Sequence, residues 1–102
     1  MESLVEFELN VPAGAPESED KARVSAEAAA SAEIGREGHL VRLWRPRVAP
    51  GERKAVGLYL AESEEELDAL LGGLPLSGWM QTVVTPLEPH PNDPASTVDQ
   101  AV

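Results

Sequence analysis

From Val5 to Val11 the chain alternates Val5, Phe7, Leu9 and Val11 with Glu6, Glu8 and Asn10. Apolar residues at a period of two belong to a half-buried β-strand, whose successive side chains point to opposite faces. Pro12 ends the run, and a loop rich in Pro and Gly leads into an alanine-rich stretch. Alanine has the highest helix propensity, so this stretch predicts a helix from about Glu17 to Ile34, stopped near Gly35 and Gly38. The segments "HLVRLWR" (39–45) and "RKAVGLYLA" (53–61) read as two strands of a hairpin, with "VAPGE" (48–52) as the turn. In "SEEELDALLGG" (63–73), Ser63 and Glu66 have capping-box spacing and Leu67, Leu70 and Leu71 form one stripe. Gly72 and Gly73 mark the end of this second helix. Beyond the turn "LPLSG", the segment "WMQTVVTPL" (79–87) offers a fourth strand through Trp79, Met80, Val83 and Val84.

The order β-α-β-β-α-β predicts an α+β, ferredoxin-like sandwich of the dimeric α+β barrel type: a four-stranded antiparallel sheet with two helices on one face. Residues 1–88 make a single domain in this reading, and 89–102 an extended C-terminal tail. Helices on one face leave the other bare, and a dimer that pairs open sheet faces is the expected cover.

Charge narrows the partners. With 18 acidic and 8 basic residues the formal net charge is -10 and the pI about 4.5. Long-range repulsion then opposes nucleic acid and anionic membrane surfaces. The absence of cysteine excludes a thiolate nucleophile, a Cys-based metal site and disulfides. No segment approaches the roughly 20 apolar residues of a bilayer span, and "MESLVEFELNVP" lacks the basic-then-apolar pattern of a signal peptide. The expectation is a soluble, cytoplasmic protein.

Against that acidic background, "GHLVRLWRPR" gathers Arg42, Arg45 and Arg47. Strict strand alternation puts Arg42 on one face with Leu40 and Trp44, and Arg45 and Arg47 on the other with Val41 and Leu43. A guanidinium beside an indole suits a carboxylate, because Arg offers a bidentate fork and Trp a dry wall. Arg42 and Arg45, with Trp44, are therefore candidate substrate-binding residues; the competing reading is salt bridges to the many acids. Glu27, mid-helix on the shoulder of the apolar positions, is a candidate general base, since partial desolvation makes a carboxylate more basic. The alternative is a surface glutamate paired with Arg23 four residues earlier. His90, in "EPHPN", is a candidate proton shuttle or else a histidine ordered by subunit contacts. His39 follows Gly38 and reads as a cap for nearby carbonyls. Two histidines without acids at ligand spacing predict no metal site. Ser18, Ser63 and Ser77 fall at caps or turns without a base beside them.

Three segments, "REGHLVRLWR" (36–45), "SEEELDALLGGLPL" (63–76) and "TPLEPHPND" (85–93), resemble the muconolactone isomerase family of aromatic catabolism. The resemblance implies the ferredoxin-like fold, a homo-oligomer built from dimers up to a decamer, and no cofactor or metal. It also implies a double-bond shift in an unsaturated five-membered lactone that bears a carboxymethyl arm. Glu27 matches a family glutamate on helix one, and Arg45 closes the Leu-Trp-Arg. The chain departs from the family pattern at Val24, where a lysine is usual, at Val41, at Pro89, and in a longer turn around "PRVAPGERKA". These departures open a second reading, an isomerase or cyclase of secondary metabolism acting on a larger, less charged ring. A third is an oligomeric small-molecule-binding protein without catalysis.

Overall fold

The computed structural model describes residues 1–96. Four strands, β1 (Glu2–Leu9), β2 (Leu40–Trp44), β3 (Lys54–Leu60) and β4 (Met80–Leu87), alternate with two helices, α1 (Glu17–Arg36) and α2 (Glu64–Gly72). All pairings are antiparallel, and the strand order is β2-β3-β1-β4. This is the predicted α+β architecture, with β1 and β3 central and the hairpin strand β2 at one edge.

The core lies between the sheet and the helices. Val5 and Phe7 of β1 and Tyr59 of β3 meet Ile34 of α1, Leu67 and Leu71 of α2, and Leu74 beyond it. Burying a side chain of this size contributes about 1.5–3 kcal/mol, so these few residues carry much of the fold. The Phe7 and Tyr59 rings sit edge to face with centroids 6.1 Å apart. Helix α2 starts as its sequence predicts, with the Ser63 hydroxyl accepting from the Glu66 amide at 3.1 Å. The Glu66 carboxylate reaches back to the amide of Glu62, one residue ahead of the cap position, at 3.0 Å.

Several boundaries differ from the sequence reading. Helix α1 runs through Gly35 to Arg36 and is closed by Gly38, whose φ of +85° glycine adopts without strain. Strand β1 ends at Leu9, so Val11 lies outside the sheet, and Trp79 closes a 3₁₀ turn (Ser77–Trp79) ahead of β4. A short 3₁₀ turn, Pro94–Ser96, interrupts the expected extended tail, whose last six residues (97–102) lie outside the described residues.

The largest correction concerns β2. Its register against β3 slips between Leu40 and Arg42, so Val41 is an extra residue in a bulge. Leu40 pairs with Tyr59 and Leu43 with Gly57, on the helix side; Arg42 pairs with Leu58 and Trp44 with Val56, on the open side. Leu40 and Arg42 therefore do not share a face. The open side also carries Leu60, Val83 and Leu87, each substantially exposed, interspersed with Glu2, Glu6 and Lys54.

Candidate active site

Helix α1 faces the sheet with small side chains. Ala28 and Ser31 are too short to reach Phe7, Leu43, Ala55 and Tyr59, and the space between stays open. The result is a cavity of about 750 Å³, floored by those sheet residues with Leu9 and Met80. Val24, Glu27 and Leu76 wall it on the helix side, and Trp44, Arg45, Val48, Glu52 and Arg53 form the rim.

Glu27 is half-buried and held at both oxygens. Its Oε1 accepts from the backbone N–H of Leu76 at 3.0 Å, and its Oε2 receives the Ser31 hydroxyl at 3.5 Å, the outer limit of a hydrogen bond. Arg23 does not pair with it. That guanidinium bonds Glu19, donates to the Pro75 carbonyl at 3.1 Å and lies 4.3 Å over the Trp79 ring. Residues 23 and 27, one turn apart, thus grip the consecutive residues Pro75 and Leu76, and the turn after α2 fixes the direction of the Glu27 carboxylate.

The arginines separate. Arg45 is exposed at the cavity rim and makes no ion pair among the described residues. Arg42 lies on the open face of the sheet, 5.2 Å over the Trp44 ring, and does not line the cavity. Arg47 lines a smaller hollow of about 460 Å³ with Glu6, Pro46 and Glu52. Arg53, also at the rim, is committed to Asp20 through contacts of 2.9 and 3.1 Å. His90 is exposed and lines neither hollow; its Nδ1 accepts from the Asn92 amide at 2.9 Å. His39 helps close α1 through its backbone, whose N–H donates to the Ile34 carbonyl at 3.0 Å, and its ring Nδ1 lies 2.8 Å from the Leu60 carbonyl of β3. Among the described residues, no three His, Cys, Asp or Glu side chains converge as a metal site.

Sequence reasoning missed Tyr59. It is 2 % exposed, lines the cavity, and its hydroxyl has no hydrogen-bond partner among the described residues. Burial, and then the charge of Glu27, push its phenol up to about 12. The available signal is Gly57, two residues earlier on the same face of β3. A Cβ there would stand 2.7 Å from Cε1 of the Tyr59 ring, so the ring is laid across a glycine.

The sequence profile of the muconolactone delta-isomerase family matches residues 1–93. Two relatives share the description Muconolactone Delta-isomerase. That of Acinetobacter baylyi is 32% identical over 88 residues, 86% of this chain and 88% of its own. That of Cupriavidus pinatubonensis is 33% identical over 89 residues, 87% and 94%. The chain belongs to the muconolactone delta-isomerase family. A crystal structure of muconolactone isomerase superposes with a TM-score of 0.81 at 26% identity, covering 92% of this chain and 95% of that one. A 5-chloro-2-hydroxyhydroquinone dehydrochlorinase from Burkholderia phenoliruptrix, solved with 2,5-dihydroxybenzoquinone, superposes at 0.62 with 16% identity, a likeness of fold alone. It covers 91% of this chain and 99% of its own. Membership makes the chain an enzyme of the isomerase type. No helix among the described residues is long and apolar enough to cross a membrane.

Proposed function

We propose that the chain shifts a carbon–carbon double bond in an unsaturated lactone of the muconolactone type, with Glu27 as the proton carrier and no cofactor. The observation that carries this reading is the Glu27 carboxylate, tethered by the Leu76 amide inside an apolar cavity whose rim holds the unpaired Arg45. A double-bond shift is redox-neutral. It needs one proton taken from the ring carbon at the far end of the conjugated C=C–C=O system and returned to the carbon next to the carbonyl, and one carboxylate serves both steps. Arg45 supplies the fork for the substrate's carboxylate arm, with Leu43 and Val48 as the adjoining apolar wall, while Trp44 touches the rim with its ring beside Arg42 on the open face. The reading assigns Arg42 to the open face and leaves His90 outside the chemistry of a single subunit.

The open face suits a second copy of this chain. It combines exposed Trp44, Leu60, Val83 and Leu87 with acids on β1 and bases on β2 and β3, so a twofold axis brings unlike charges together. A homo-oligomer built on that dimer follows, and light scattering that finds only a monomer removes it.

A larger, less charged ring is the second reading, favoured by the cavity volume. About 750 Å³ falls in the range of roughly 300–1,000 Å³ that accepts drug-sized ligands. Turnover of muconolactone, followed by NMR in D₂O for the double-bond shift and for solvent label in product, tests the first reading. Saturation binding without conversion of muconolactone or any related lactone overturns it in favour of a binding protein.

A further inference from the structure

We propose that the hydroxyl of Tyr59 donates a hydrogen bond to the lactone carbonyl oxygen and holds the negative charge that gathers there during the isomerisation. The inference rests on the lactone reading and adds to it a residue for the half of the reaction that Glu27 does not cover.

When a base removes the proton from the ring carbon bearing the side arm, the C–H electron pair moves into the conjugated ring. The charge comes to rest on the carbonyl oxygen as a dienolate. Glu27 then gives the proton back at the carbon next to the carbonyl, and the pair returns from oxygen to form the new C–H bond. The balance is a proton moved and a double bond shifted. Between the two steps an oxyanion stands in an apolar cavity, and without a donor it is costly. Arg45 is engaged with the carboxylate arm, and Arg53 is occupied by Asp20. The Leu76 amide and the Ser31 hydroxyl are spent on Glu27, and Lys54 is paired with Glu52. Tyr59 remains: a buried phenol on the cavity floor with no partner of its own, close enough to Glu27 to sense its charge. It keeps its proton throughout: a phenol is neutral at physiological pH, the state in which it donates, and burial moves its ionisation further from that range. The geometry is prepared in the sequence. Gly57 leaves the ring its place, and Phe7 fixes it edge-on at 6.1 Å.

Tyr59 is the chain's only tyrosine, which makes the test specific. Tyr59→Phe keeps the ring and removes the donor; kcat is expected to fall about 100- to 1,000-fold with KM within about threefold, the usual loss for one oxyanion donor. Uniform incorporation of fluorotyrosine labels this one site and lowers the phenol's pKa. The loss of kcat at high pH is then expected to move down with it, a shift that a packing role would not produce. Glu27→Gln is assayed alongside. Tyr59→Phe activity within threefold of wild type, or a high-pH limb indifferent to fluorination, overturns the proposal while leaving Glu27 as base. If Glu27→Gln alone retains activity, the base assignment falls and the donor stands. A wild-type chain that converts no lactone overturns both.

Discussion

The two helices solve different problems with opposite compositions. Helix α2 is only nine residues long, yet it buries Leu67 and Leu71 and opens with a side-chain cap. Helix α1 has 20 residues, of which only Ile34 is buried, and no side chain caps its N-terminus. Residue for residue α2 contributes more to the core, and α1 contributes the space. Its alanines favour the helix by propensity rather than by packing, so α1 stays formed while standing off the sheet. Arg23 and Glu27 then tie it to Pro75 and Leu76 by polar contacts where an apolar stripe would otherwise do so. A cavity beside a well-packed core is the outcome of placing the two strategies side by side.

That division breaks most sharply by substituting one residue from each helix. Glu27→Gln in α1 is expected to lower turnover by about 100- to 10,000-fold, the span for loss of a general base, while thermal melting stays close to wild type. Leu67→Ala in α2 is expected to reverse the pattern, losing about 2–5 kcal/mol of stability by denaturant titration. A glutamine variant that melts far below wild type would make Glu27 a structural tie instead. Smaller is the expected difference between the arginines. Arg45→Ala should raise KM by the equivalent of about 1.5–3 kcal/mol, the worth of a hydrogen bond to a charged group, and Arg42→Ala should leave KM unchanged. Equal effects would return the anion site to the open face. At the ends of the helices, Ser63→Ala is expected to cost about 1 kcal/mol through the lost cap, whereas Ser18→Ala, at the uncapped start of α1, should cost almost nothing. Finally, pH sharpens the same contrast. The native phenol of Tyr59 ionises near 12, above the ordinary value of 10. The folded state therefore holds a proton that the unfolded state has released. Its contribution is intact below pH 10 and is lost as pH rises from there toward 12, and Tyr59→Phe should flatten that fall.

How legible this was depends on what each feature is made of. The order of elements, the edges of α2 and the burial of Val5 and Phe7 follow from local periodicity and caps, which side-chain identity encodes directly. The assignment of Arg42 to the face of Leu40 failed because a bulge at Val41 leaves no mark in a run of strand formers. Glu27 was legible as a carboxylate in mid-helix. Its tether was not, since the donor is the backbone of Leu76 in a turn. Trp79 reads as strand by propensity and is instead drawn under Arg23 at the end of a turn. In sequence Tyr59 is one aromatic among the apolar residues of a strand. Only its spacing from Gly57, together with the cavity that α1 leaves, separates it from one.

The bulge at Val41 has one more implication, for the kind of change that alters this site. Beyond it Leu43 faces the helices and Arg45 reaches the cavity rim, while Arg42 and Trp44 point the other way. Because Leu40 and Arg42 already oppose consecutive residues of β3, deleting Val41 would close the strand into a regular ladder and leave every downstream side chain on its present face. Drawing Val41 into the ladder has the opposite result: the strand beyond it slips by one position, Arg42 turns toward the helices and Arg45 toward the open side. The choice between ligand anchor and subunit-facing charge is thus held by one backbone irregularity and not by the identity of either arginine.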